Sequence, residues 1–398
     1  MRIGIIAYEF PPHLGGMQEH AAGVVVNLAK AHRLTVVVPP GCGIDLPGVE
    51  VIDGLSNRMG PNRRLLETIQ VDAWLTLNAA LSSHAAHLRA PLFAYVHGKD
   101  FLDPWLPEPP HLLCRVRNGL SRVPSARPML RVLQRRWRQR LIGRGLHSAI
   151  HVFANSGYTR RCCIDLFKLP ETAVDVVPPG IDGRHLQSVE RRDSARLRIL
   201  TVSRLSRSNR RKNVEGVIRA IALLKDSVPM ECTIAGSGDD QARLEDLAQS
   251  LGLAGYVHFA GNVDADMLRR LYGEADVFVL PVQSIENDVE GFGMVYVEAA
   301  AAGLPSIATA VGGVPEAVRD GETGILLDDH SPSAIAAGLR RFAAERERFR
   351  PEALRAFAES LVSERTTERI RARIETLTKG TALVKDKVEN GEAVRNRA

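Results

Sequence analysis

The stretch Glu290-Gly291-Phe292-Gly293-Met294-Val295-Tyr296-Val297-Glu298 sets two carboxylates around a pair of glycines, directly after the strand-like run VFVLP and a loop. Glycines where a loop enters a helix let the backbone approach a ligand closely, and the free amides of the first turn can hold anionic or hydroxyl oxygens. Glu290 before this helix and Glu298 two turns into it are separated acceptors, suited to two sets of sugar hydroxyls. Glu298 is the only charge on an otherwise apolar helix. A buried, unpaired carboxylate is costly, so a specific partner is expected for it.

A second group supplies opposite charge. The strand expected at 197–203 ends in Ser203-Arg204-Leu205, and Arg207, Arg210, Arg211 and Lys212 follow before a helix. Arg offers a fork of donors matched to phosphate oxygens and Lys a compact point charge, so a cationic loop at a strand end suits a diphosphate. The first strand leads through Glu9 and Pro11-Pro12 to Gly15-Gly16 and an apparent helix, a turn that either admits a phosphate to the helix N-terminus or serves the backbone alone. The strand at 91–96 delivers His97-Gly98-Lys99-Asp100. His97 there reaches an acceptor or an anionic oxygen, or is simply satisfied within the structure.

Two other readings of these residues are weaker. Asp264-Ala265-Asp266 has a spacing that can hold a divalent metal, but it immediately precedes a helical stretch, where Asp264 as N-cap and Asp266 as a first-turn acid explain it. No metal site is therefore expected. Glu290 and Glu298 as the acid and nucleophile of a glycoside hydrolase would leave the cations and glycines without purpose.

These residues need strand ends and helix starts to position them. Short β-branched runs alternate with helical stretches along the chain, the pattern of parallel βαβ units. Strands are expected at 2–9, 34–40, 49–54, 72–78, 91–98, 149–155 and 174–178, then at 198–203, 230–236, 257–261, 277–281, 304–309 and 324–327. The break falls at Val177-Pro178-Pro179-Gly180-Ile181-Asp182. Two doubly wound α/β domains are expected at 1–180 and 181–365, with ligands at the carboxyl ends of the strands and a cleft between the domains. After Pro351 three amphipathic helical stretches are expected, one of them at 366–380, followed by a mobile polar tail at 381–398.

The 398 residues are 45% apolar and 25% charged, which excludes a disordered chain and fits two globular domains. The five cysteines show no metal or disulfide spacing, so reduced thiols are expected. The opening MRIGIIAYEF runs straight into a strand without signal-peptide features, and a cytoplasmic location is expected. Window 291–315 is apolar, but Gly303 and Pro305 break it, which argues against a membrane span.

The net charge of +6 is unevenly spread. Residues 115–146 hold ten arginines and no acid, which leaves the remainder of the chain at −4. Within it Leu130, Leu133, Trp137 and Leu141 recur at helical spacing, with Arg131, Arg135 and Arg138 on another side. This is a cationic amphipathic helix. Either it docks on an anionic membrane surface, or its apolar side packs inward and its arginines are solvated or meet an anionic soluble acceptor. Nucleic-acid binding would need a broader basic surface than one helix, and the absence of G-x-G-x-x-G argues against an NAD-dependent oxidoreductase.

Taken together, Pro11-Pro12 with Gly15-Gly16, His97-Gly98, Ala154-Asn155-Ser156, the linker at Val177–Asp182, Ser203-Arg204-Leu205 with Lys212, Ala235-Gly236-Ser237-Gly238, Glu290 with Glu298, and Gly312-Gly313-Val314-Pro315-Glu316 make the chain resemble the family 4 retaining glycosyltransferases. The resemblance spans almost the whole chain. It implies two facing Rossmann-like domains of the GT-B type and hexosyl transfer from a UDP- or GDP-linked sugar to a glycan or lipid-linked acceptor. It also implies no cofactor and no metal, while the cationic helix leads to the expectation of a peripheral position at the inner face of the cell membrane. Arg204 and Lys212 would hold the donor diphosphate, Glu290 the transferred sugar and Glu298 the ribose. Backbone amides at Phe292, Gly293 and Met294 would support sugar and phosphate, with Gly15 and Gly16 closing on the diphosphate and His97 near the acceptor. Lys212 is followed by Asn213 where the family often has glycine, so Arg210 or Arg211 could exchange roles with it. The alternatives are a nucleotide-sugar epimerase or phosphorylase of the same fold, or a transferase with a small soluble acceptor.

Overall fold

The computed structural model describes residues 1–13, 15–108, 127–186 and 194–389. The chain divides into two units, Met1–Gly180 with the segment from Ser363 onward, and Ile181–Val362. The first unit holds a seven-stranded sheet, β1 (Arg2–Ile6), β2 (Arg33–Val38), β3 (Val49–Asp53), β4 (Ala73–Thr76), β5 (Leu92–Val96), β6 (His151–Ala154) and β7 (Val174–Val176), in the order β3-β2-β1-β4-β5-β6-β7. The second holds six strands, β8 (Leu197–Val202), β9 (Met230–Ala235), β10 (Val257–Gly261), β11 (Val277–Leu280), β12 (Ser306–Thr309) and β13 (Gly324–Leu327), in the order β10-β9-β8-β11-β12-β13. Every pair is parallel.

The sequence dictates this directly. Central strands are unbroken apolar runs, with Ile3, Ile5, Val36, Val37, Phe93 and Tyr95 completely buried, because helices cover both faces of a parallel sheet. The edge strand β3 instead carries the exposed Glu50 and Asp53. Strand order reverses between β1 and β4 and again between β8 and β11, and the groups that follow these strands lie where open α/β sheets take their ligands. Several strands are shorter than expected: β1 stops at Ile6 and β8 at Val202, which leaves Glu9 and Arg204 in strand-end loops.

After Pro351 the structure forms two helices where three were expected, Pro351–Glu359 and one continuous helix, Ser363–Glu389. The boundary lies at 362 rather than 365, because Val362 still pairs with Ile181 and the Leu361 carbonyl accepts the Ile181 amide at 3.0 Å. The long helix belongs to the first unit. Its Ile370 and Ile374 are fully buried in the core that includes Val24, Val25 and Leu28 of helix Gly16–Ala29, and Arg373 pairs with Asp175 at 2.5 Å. It runs through Gly380, whose cost of about 1 kcal/mol in a helix does not outweigh the good helix formers around it. The segment 381–389, expected as the start of a tail, is therefore helical. Residues 390–398 lie outside the described residues.

Candidate active site

In the second unit, the loop after β8 is gripped by backbone. The Ser203 amide donates to the Ala235 carbonyl at 3.0 Å and the Leu205 amide to the Ser237 carbonyl at 2.9 Å. A Cβ on Gly236 would lie 1.9 Å from the Ser203 carbonyl oxygen, so only glycine admits this approach. Arg204 is thereby fixed with its side chain exposed. It lines a pocket of about 470 Å³ together with Asn209, Arg210, Asn213 and His330.

The cationic loop itself is a short 3-10 segment, Arg207–Lys212, that ends at Asn213 in the left-handed region. Asn213 then caps helix Val214–Leu224 by accepting the Gly216 amide at 3.2 Å. The three cations at its end part company. Arg210 pairs with the buried Asp240 at 2.6 Å. Arg211 lies 2.9 Å from both Asp288 and Glu290. Lys212 Nζ sits 2.5 Å from the same Glu290 Oε2. The Gln283 amide donates to the Arg211 carbonyl at 2.8 Å and ties this loop to the one after β11.

Glu290 is 12% exposed. Burial alone would raise its carboxyl pKa, but Lys212 and Arg211 outweigh burial and hold it down at about 2. Its backbone is fixed as well, since the Gly313 amide donates to its carbonyl at 2.9 Å. Phe292 is buried, Gly293 has φ 97° and starts helix Met294–Ala301, and Glu298 is buried on that helix. Tyr272 Oη donates to Glu298 Oε2 at 3.0 Å, and burial pushes the Glu298 carboxyl up against the pull of Tyr272 and Lys212. Asp264 accepts the Met267 amide at 2.8 Å and Asp266 pairs with Arg269, so both are occupied at the start of helix Ala265–Glu274.

In the first unit, Gly15 has φ 150° and its carbonyl accepts the Glu19 amide at 3.0 Å, opening the helix that begins at Gly16. His97 is 8% exposed. Its Nε2 donates to the Leu77 carbonyl at 3.1 Å, which fixes the tautomer and leaves Nδ1 as an acceptor. Burial lowers its pKa and Asp100 opposes this only in part. Asp100 in turn accepts the amides of Ala79 at 2.7 Å and His97 at 3.0 Å.

Helix Arg127–Ser148 is buried only towards its C-terminal end, at Ile142, Gly143, Gly145 and Leu146. The expected faces shift. Arg138 donates to the carbonyls of Pro104 and Pro107 at 3.0 and 3.2 Å, so it holds a neighbouring loop, and Trp137 is half-buried. The exposed apolar side chains are Met129, Val132 and Leu133, with Arg131 among them and Arg135 half-buried nearby. The arginines before residue 127 lie outside the described residues. Among the described residues no helix is long and apolar enough to cross a membrane.

Lys212 and Glu290 are thus brought together, Glu298 lies on the adjoining helix, and Arg204 lines a pocket with Arg210 and Asn213, the residues on either side of Arg211 and Lys212. Arg211, one of the loop cations expected to be able to exchange roles with Lys212, shares Glu290 with it. Tyr272, Asp288 and Asp240 carry no local signal, since each meets its partner through the sheet topology. Glu9 was legible as a polar residue at a strand end.

The second sheet gathers cations, a carboxylate and a helix start at its strand-order reversal, an arrangement suited to an anionic, hydroxyl-rich ligand such as a nucleotide sugar. Residues 14–184 match the family model described as glycosyltransferase family 4, and residues 186–359 match that of glycosyl transferases group 1. A Mycolicibacterium smegmatis protein named GDP-mannose-dependent alpha-(1-6)-phosphatidylinositol monomannoside mannosyltransferase is 30% identical over 365 residues, 84% of this chain and 87% of that one. A Thermomonospora curvata D-inositol 3-phosphate glycosyltransferase is 32% identical over 288 residues, 65% of this chain and 63% of that one. The crystal structure of Anabaena HepE with UDP superposes with a TM-score of 0.69 at 18% identity, covering 94% of this chain and all of that one. The chain belongs to the family 4 glycosyltransferases and has the GT-B fold.

Proposed function

We propose that this glycosyltransferase moves a hexose from a nucleoside diphosphate sugar to a hydroxyl of a lipid-linked acceptor, with retention of configuration and without a metal ion. The observation that carries this reading is the sharing of one Glu290 oxygen by Lys212 and Arg211, beside the first turn of helix Met294–Ala301. Glu290 receives the hydroxyls of the transferred sugar. As it does so, Lys212 and Arg211 are released in part towards the diphosphate, and Arg204 reaches it from the strand end. Fixed cations and the helix N-terminus then stabilise the charge that develops on the departing diphosphate, a task that in other enzymes falls to Mg²⁺. Glu298 takes the ribose hydroxyls. The leaving phosphate accepts the proton of the attacking hydroxyl on the same face of the sugar, which gives retention.

The M. smegmatis relative is named for GDP-mannose and a phosphatidylinositol glycolipid, and GDP-mannose is accordingly the first donor to test. The exposed Met129, Val132 and Leu133 around Arg131 suit an anionic bilayer surface, where each basic side chain contributes about 1 kcal/mol. We place the protein peripherally at the inner face of the cell membrane. A second reading, transfer to a small soluble acceptor, is favoured by the name of the T. curvata relative. A panel of GDP-mannose, UDP-glucose, UDP-galactose and UDP-N-acetylglucosamine, scored for thermal stabilisation and nucleotide release, tests the donor assignment. Stabilisation by none of them would refute it.

A further inference from the structure

Three neighbouring strand ends of the first sheet gather polar groups. Glu9 follows β1, Asn78 follows β4 and His97 follows β5, and these strands are adjacent in the sheet. β1 and β4 flank the reversal of strand order, where such sheets take ligands. Both Glu9 carboxylate oxygens lie 3.2 Å from Asn78 Nδ2, while Asn78 Oδ1 is already engaged by the Ala80 amide at 2.9 Å. Asn78 is thus held rigid and aims its amide at Glu9.

Glu9 is half-buried and makes no ion pair among the described residues. A carboxylate has about four lone-pair sites, so the amides of Asn78 and of its own backbone leave part of its accepting capacity unused. Its surroundings do not favour charge: burial first, and then the buried Asp100, push its carboxyl up to about 7. A group held against its own preference, with spare lone pairs at a ligand-binding edge, is characteristic of a functional site. The chemistry of its ligand follows from the groups present. Glu9 and His97 Nδ1 both accept hydrogen bonds and no cation pairs with Glu9 among the described residues, so a neutral donor of hydrogen bonds suits this edge better than an anion.

We propose that Glu9, steadied by Asn78 at the neighbouring strand end, binds hydroxyl groups of a neutral polyol ring in the acceptor. This rests on the transferase reading above for its biological setting, but its test does not require turnover. Binding of myo-inositol, used as a neutral polyol probe, is measured by calorimetry on the full chain for wild type, Glu9→Gln and Glu9→Asp, with inorganic phosphate as the anionic counterpart and GDP as the donor-side control.

Wild type is expected to bind the polyol, Glu9→Gln to bind it about tenfold more weakly, and Glu9→Asp to keep part of the affinity. Phosphate should not displace it. GDP affinity should be equal in wild type and Glu9→Gln, and the thermal midpoint of Glu9→Gln at neutral pH should match or exceed that of wild type, which a merely structural role for Glu9 would not allow. Absence of polyol binding by wild type, equal binding by Glu9→Gln, or displacement by phosphate would overturn the proposal. Loss of GDP binding in wild type, with the polyol result intact, would instead overturn the donor reading.

Discussion

Lys212 Nζ lies 2.5 Å from Glu290 Oε2, and Arg211 Nη1 meets that same oxygen at 2.9 Å. Two cations thus share one carboxylate oxygen, and all three side chains are largely buried. Nearby Arg210 is drawn the other way by Asp240.

That division separates three adjacent cations by function. Lys212→Ala and Arg211→Ala should each lower the transfer rate by about 10²–10³-fold, the usual loss when a charge-stabilising donor is removed. Arg210→Ala should stay near wild type, since Asp240 retains Arg243 at 2.8 Å. Steady-state kinetics check this, and a loss in Arg210→Ala equal to that in Lys212→Ala would reverse the assignment.

Glu298→Gln should weaken GDP binding by about tenfold, because a charged acceptor of ribose hydroxyls becomes a neutral one. Tyr272→Phe should give a smaller loss, by removing the hydroxyl that orients Glu298 at 3.0 Å. Calorimetry giving equal affinity in Glu298→Gln and wild type would count against a ribose contact.

The two strand-end carboxylates should move stability in opposite pH ranges. Glu9 is raised from 4.5 to about 7 in the folded chain, so the folded state binds more protons and stability falls as pH rises through that window. Glu290 is lowered from 4.5 to about 2; its contribution is complete above 4.5 and is lost as pH falls through about 2. Thermal midpoints of Glu9→Gln should therefore change less between about pH 5 and about pH 8 than those of wild type. An unchanged slope would show that Glu9 does not carry the effect.

Replacing Leu133 with Ser and Arg131 with Glu should reduce co-sedimentation with vesicles containing phosphatidylglycerol, while GDP affinity stays unchanged. High salt should act in the same direction. Equal sedimentation of the double variant would exclude this helix as the docking surface.

Much of the fold was legible because parallel strands buried on both faces read as uninterrupted apolar runs, as in Val36-Val37-Val38 and Phe278-Val279-Leu280. The order of those strands, and with it which loops meet, has no local signature. For that reason the sequence marks Arg211 only as one cation among several in its loop, and nothing local marks Asp288, Tyr272 or Asn78. The faces of the arginine-rich helix differ from the expected ones for a related reason. Periodicity marks Trp137 and Arg138 as belonging to opposite faces, but only the packed loop at Pro104 and Pro107 reveals that Arg138 is bound and that Met129, Val132 and Leu133 stay exposed. The final helix runs past the expected boundary at 380: the polar segment after it reads as a tail, although it is built of good helix formers and stays helical to Glu389.

The most direct test is release of GDP from GDP-mannose in the presence of EDTA and phosphatidylinositol-containing vesicles, comparing wild type with Glu290→Gln. Steady turnover by wild type and its near-complete loss in a folded Glu290→Gln protein are expected if the Lys212–Arg211–Glu290 cluster is the donor-side machinery. Turnover that requires added Mg²⁺, or that survives unchanged in Glu290→Gln, would contradict it.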